Sequence, residues 1–145
     1  MNRASRLEPI AEFAGKVEDE AARRLAASVT AIENKEREVE QLRSYLAEYR
    51  QRLEAEQQST DSMRWQNGRA FLARLCAAVA AHESELQKAV ERHRLEAELW
   101  RESYRRSKSL DQVVERGHRE AYQELEKRAQ AELDEQALRR SLGGH

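Results

Sequence analysis

The stretch EQQSTDSMRWQNGRAF, Glu56 to Phe71, decides how this chain folds. Glu56 to Ser62 carry no apolar side chain, and Thr60, Asp61 and Ser62 are residues that cap a new helix by accepting hydrogen bonds from its first free N–H groups. On both sides the sequence has the periodicity of long helices, so the gap is a turn between two of them.

Upstream, Leu25, Ile32, Val39, Leu46 and Leu53 recur every seven residues, the spacing of a seam for one partner helix. Ile10, Phe13, Val17, Ala21 and Leu25 extend it toward the N-terminus at spacings of three, four, four and four, which reads as a stutter that unwinds the supercoil near Val17 to Leu25. Ser5 and Glu8 have capping-box spacing and Pro9 then falls in the first turn, so a helix is expected to begin near Ser5. Downstream, Leu72, Leu75, Val79, His82, Leu86, Val90, His93, Ala97, Trp100 and Tyr104 form a second seam, and Ser107, Leu110, Val114, Ala121 and Leu125 continue it with weaker residues. The glycines of SLGGH suit a left-handed helix end.

Neither helix can bury its stripe alone, so the two are expected to pair. The expected fold is all-α: two long helices in an antiparallel coiled-coil hairpin, a single domain over 1–145, with helix one at about 5–57, the turn at about 58–62 and helix two at about 63–140. A turn near Asp61 places Ser5 across from about Gly117, so helix two should overhang at the C-terminus.

Composition agrees with an elongated helical chain. Of the 145 residues 37% are charged, mean hydropathy is -0.96, and there are one proline and five glycines, too little apolar material for an ordinary globular core but a good helix-forming mixture. The 26 basic and 27 acidic residues are interspersed, giving a net charge of -1 and no global field for nucleic acid or an anionic membrane. Cys76 alone excludes an internal disulfide, the N-terminus lacks a signal-like apolar run, and the longest apolar run, LCAAVAA, is far short of the roughly 20 residues of a membrane span. The expectation is a cytosolic protein with no direct membrane insertion.

No catalytic site, cofactor site or metal site is expected. Acid–base chemistry needs groups converging in a water-excluded pocket, which two helices do not supply. His82 and His93 lie about 16 Å apart along one helix, too far to share a metal. The basic cluster RESYRRSK, Arg101 to Lys108, has Trp100 and Tyr104 beside it, but Glu96, Glu98 and Glu102 interleave and the rings fall on the second seam, so a paired, solvated face is expected rather than a nucleic-acid site.

The aromatic residues near the turn stand out. Leu42, Tyr45 and Tyr49 form a stripe beside the seven-residue seam, and Phe71, Leu75, Ala78 and His82 form a matching stripe across the turn. Together they make either a wider coiled-coil core or an exposed apolar patch for a partner, and spacing alone leaves both open.

At these residues the chain resembles the flagellar FliJ family, small coiled-coil proteins of the bacterial type III export apparatus. The resemblance rests on the order and spacing of EDEAARRLA (Glu18 to Ala26), QLRSYLAEYRQRL (Gln41 to Leu53), RWQN followed by Phe71, Leu75, Ala78 and His82, and LDEQALRR near the end. It implies a stalk-like factor linking the export ATPase ring to the export gate, acting with that ATPase and its regulator, the gate protein FlhA and export chaperones. It also implies a location in the cytoplasm, peripheral at the inner membrane. The family's gate-binding patch maps onto Leu42, Tyr45, Tyr49, Phe71, Leu75, Ala78 and His82, and where relatives carry Gln this chain has Glu38. The other readings are a stalk protein of a virulence-type secretion system and a purely structural coiled-coil rod.

Overall fold

The computed structural model describes residues 3–57 and 61–143, and the expected turn at 58–62 lies partly outside them, as does Thr60. Two helices account for nearly all described residues: α1, Arg3–Glu56, and α2, Ser62–Gly143. They pack antiparallel as a helical hairpin. Asp61 starts α2: its Oδ1 accepts the Arg64 N–H at 2.7 Å, satisfying a first-turn N–H that has no backbone partner, and its carbonyl accepts the Trp65 N–H at 3.1 Å as the first bond of the helix.

The chain divides into two compact units, Ala21–Trp100 and the pair of segments Met1–Glu20 with Arg101–His145. Within Ala21–Trp100, the less exposed positions of α1 run Ala21, Leu25, Ser28, Ile32, Lys35, Val39, Leu42, Leu46, Tyr49 and Leu53, alternating four and three. Those of α2 run Trp65, Gly68, Leu72, Leu75, Val79, His82, Leu86, Ala89, His93, Glu96 and Trp100, also three and four apart. This is a coiled-coil seam. Val39, 2% exposed, is its best-packed large residue, and burying such a side chain contributes about 1.5–3 kcal/mol.

Polar layers interrupt the apolar ones. Ser28 donates its hydroxyl to the Leu25 carbonyl at 2.6 Å, so its oxygen accepts from His93 Nδ1 at 3.0 Å, which requires the His93 tautomer protonated at Nδ1. Such a pair is lost if the helices slip by one turn, so it favours this register over its neighbours. Glu96 is 5% exposed; its Oε1 accepts from Arg92 at 2.9 Å and its Oε2 has no hydrogen-bond partner.

In the other unit the seam is made of small residues: Ala4, Ala11 and Ala14 are buried and Leu7 half-buried on α1, facing Ser103, Ser107, Leu110, Val114, Gly117 and Ala121 of α2. Ile10, Phe13 and Val17 are exposed at 49%, 68% and 43%. The expected stutter is therefore absent. The strict three–four alternation runs back through alanines, because small side chains on both helices let the backbones approach closely and turn the large residues outward. On the other unit's seam Ala89 and Glu96 take the places expected for Val90 and Ala97, and here Ser103 takes that of Tyr104.

α1 already runs through Ser5, so Pro9 sits inside the helix rather than in its first turn. Gly143 ends α2 without a positive φ, and Gly144 lies outside the described residues. Ala4 packs on Gly117, and beyond Ala121 every described residue of α2 is exposed, Leu125 included, so α2 extends past α1 as an overhang.

Candidate partner-binding face near the turn

The residues Leu42, Tyr45, Tyr49, Phe71, Leu75, Ala78 and His82 all belong to the Ala21–Trp100 unit, and the structure divides them between seam and surface. Leu75 is buried, and Leu42, Tyr49 and His82 occupy half-buried seam positions. Tyr45 and Phe71, 42% and 36% exposed, stand on the outside, while Ala78 is half-buried at the margin. Tyr49 joins the two groups. Its ring meets Phe71 edge-on with centroids 4.8 Å apart, and the Tyr45 ring lies 6.5 Å away at a tilt of 40°. Its hydroxyl points at the Gly68 carbonyl at 3.5 Å. The space for it exists because residue 68 is glycine: a Cβ there would fall 2.6 Å from Leu53 Cδ1 and 3.6 Å from that hydroxyl. The three rings form a ladder running from the interior of the hairpin to solvent.

Charged pairs cross the helices around it. Arg43 holds Glu83 at 2.9 Å, and Arg50 reaches Cys76 Sγ at 3.6 Å. Lys35 holds Glu85 at 2.8 Å and Glu38 at 3.2 Å. Hydrogen bonds to Glu85 and then Glu38 hold the Lys35 ammonium above its ordinary pKa, and the Lys35 hydrogen bond keeps the Glu85 carboxyl below its own. His82 Nδ1 sits 3.4 Å from Glu38 and 3.9 Å from Glu85 with no hydrogen bond. Glu38, His82 and Glu85 each offer an atom within 4.8 Å of the others, a spacing that suits a metal, but Lys35 places its own cation against both carboxylates. The face combines stacked rings that offer apolar contact with ion pairs along its border.

Sequence spacing set Leu42 and Tyr49 beside the seam, whereas the structure puts both on it; continuing the three–four alternation from Leu46 and Leu53 would have found them. Glu83 and Glu85 read from the sequence only as helix surface, since their pairing with Arg43 and Lys35 needs the register between helices, whereas Lys35 and Glu38 lie three apart on α1. In the other unit, the cluster at Arg101 to Lys108 keeps Tyr104 on the exposed side, with Lys108 Nζ 5.8 Å over its ring.

No described helix is long and apolar enough to cross a membrane. No curated protein and no solved structure matches the chain significantly. A sequence model described as "Flagellar FliJ protein" matches residues 3–144, nearly the whole chain, and the chain folds as a helical hairpin: it belongs to the FliJ family and is a flagellar export-related coiled-coil protein.

Proposed function

We propose that the chain is a stalk-like component of the flagellar type III export apparatus, linking the export ATPase ring to the export gate and escorting export chaperones. Its working location on this reading is the cytoplasmic face of the inner membrane, reached through the apparatus. The gate contact is made by the face around Tyr45, Tyr49 and Phe71, with Leu42, Leu75, Ala78 and His82 supporting it from seam and margin. One observation carries this assignment: aromatic rings that a two-helix coil could turn inward stand instead at 42% and 36% exposure, stacked on a half-buried tyrosine that holds them in place. Rigidly presented aromatic rings lose little entropy on binding, which is why they serve as interface anchors.

The ATPase contact is assigned to the overhang of α2, residues 122–143, whose side chains gain nothing from the hairpin and are free to engage a ring. Affinity capture with the chain truncated after Gly117 tests the division of labour. The truncated chain is expected to retain the export gate and lose the ATPase. Loss of both partners with the hairpin still folded, or capture of neither by the full chain, contradicts the proposal; the second result favours a purely structural rod.

A further inference from the structure

In the Ala21–Trp100 unit, Glu38 of α1 comes against His82 and Glu85 of α2. His82 and Glu85 are three apart, so both leave α2 on one side, and the register of the hairpin supplies Glu38 from the facing helix. His82 Nδ1 is the unsatisfied atom of the group. It is shielded from water and makes no hydrogen bond, although Glu38 Oε2 lies 3.4 Å away and Glu85 Oε2 3.9 Å away. Carboxylate oxygens only accept, so in the imidazole protonated at Nε2 the Nδ1 lone pair faces two acceptors and has nothing to receive it. Lys35 donates to the carboxylates, at 2.8 Å to Glu85 and 3.2 Å to Glu38, and leaves the imidazole out. Two negative charges and one nitrogen lone pair thus surround a single ammonium.

We propose that this cluster is a zinc site, in which Zn²⁺ takes the place of the Lys35 ammonium and is bound by Glu38, His82 Nδ1 and Glu85, with water as the fourth ligand. Tetrahedral zinc with ligands at ~2.0–2.1 Å spaces its donor atoms about 3.4 Å apart, close to both separations measured from His82 Nδ1. The two carboxylates balance the charge of the ion, and the imidazole gains a partner that the ammonium does not provide. A nitrogen among the donors favours zinc over Mg²⁺ and Ca²⁺, which take oxygen ligands. Lys35 keeps 33% of its side chain in water, so the displaced ammonium can turn to solvent. Lys88 adds a second positive charge near Glu85. Competition from these cations makes the site weaker than a closed structural zinc centre, in the micromolar range. The site stands whether or not the same face meets the gate.

Calorimetric titration of Zn²⁺ into the full-length chain, at neutral pH in a buffer that does not bind zinc, tests this. One ion per chain is expected. Loss of a residue that only orients a ligand already weakens metal binding by about 10–100-fold, so His82→Gln and Glu85→Gln should each weaken it by about tenfold or more. Lys35→Met should tighten binding several-fold by removing the competing cation, an effect that an unrelated surface histidine would not show. Cys76→Ser should leave it unchanged. Because the ion joins α1 to α2, saturating Zn²⁺ should raise the unfolding midpoint of the wild-type chain and not that of Glu85→Gln. Glu85 is exposed, so its variant keeps the fold and tests the site even where His82→Gln disturbs the seam. Absence of zinc binding up to near-millimolar concentration, binding indifferent to Glu85→Gln, binding not tightened by Lys35→Met, or an equal response to Mg²⁺ overturns the proposal.

Discussion

Gly117 lies so close to Ala4 that a Cβ at position 117 would fall 2.7 Å from the alanine Cβ and 3.4 Å from its Cα. In a helix interior glycine costs about 1 kcal/mol relative to alanine, so its presence in α2 needs a compensating contact, and the close approach of Ala4 is that contact. Gly117→Ala should raise intrinsic helicity yet loosen the start of α1, since neither a methyl group nor a backbone atom can swing aside. Hydrogen exchange at the amides of Ala11 and Glu12 should quicken, and Ala4→Gly in the same chain should reverse the change. Gly68→Ala is the contrast: its nearest neighbour is the end of the Leu53 side chain, which can rotate, so a smaller effect is expected.

The seam from Leu25 to Leu53 was legible because leucine, isoleucine and valine occupy its seven-residue positions. The alanine seam was not. Ile10, Phe13 and Val17 outrank Ala4, Ala11 and Ala14 in hydrophobicity, so a reading by apolarity alone places the wrong face inward. Strict alternation carried back from Leu25 would have reached Ala21, Glu18, Ala14, Ala11, Leu7 and Ala4. The opposition of Ser5 to about Gly117 was close, the structure pairing Ala4 with that glycine, because the turn position and helix geometry fix the register. Within the ring ladder the alternation from Leu46 and Leu53 separates Tyr49 from Tyr45, whereas the meeting of Tyr49 with Phe71 depends on the register between the helices.

Glu96 gives a stability prediction. Its side chain is buried against the seam with one oxygen held by Arg92, and a buried acceptor without a partner costs about 1–3 kcal/mol. Arg92 is largely exposed and stays solvated when its partner is removed. Glu96→Leu should therefore raise the midpoint of thermal unfolding by several degrees, measured by circular dichroism at neutral pH; a lower midpoint would show that the carboxylate is needed for packing.

The Lys35–Glu85 pair makes a pH-dependent contribution with a defined sign. Glu85 titrates below its ordinary value, so its contribution is present above the unfolded-state carboxylate pKa and is lost as pH falls through the lower folded value. Lys35 titrates above its ordinary value, so its contribution is present below the unfolded-state lysine pKa and disappears as pH rises through the higher folded one. Carbon-detected NMR titration should find the Glu85 carboxyl returning toward its ordinary 4.5 in Lys35→Met. An unmoved Glu85 would mean the ion pair is not formed in solution.

Tyr45 and Tyr49 should part company in folding experiments. Tyr49 occupies the seam beneath Phe71, so Tyr49→Ala is expected to cost on the order of 2 kcal/mol, below the range for a fully buried ring, and Leu46→Ala and Leu53→Ala should also destabilise the hairpin. Tyr45→Ala removes an exposed ring and should leave the denaturation midpoint nearly unchanged. Equal losses for both tyrosines would place Tyr45 in the core.

The most direct test is calorimetric titration of the purified cytoplasmic part of the export gate with the wild-type chain, Tyr45→Ala and Phe71→Ala, each variant first shown to unfold like the wild type. An exposed aromatic anchor contributes about 2 kcal/mol to binding, so each variant should bind roughly thirtyfold more weakly. Binding at wild-type strength by both folded variants would contradict the assignment of this face to the gate.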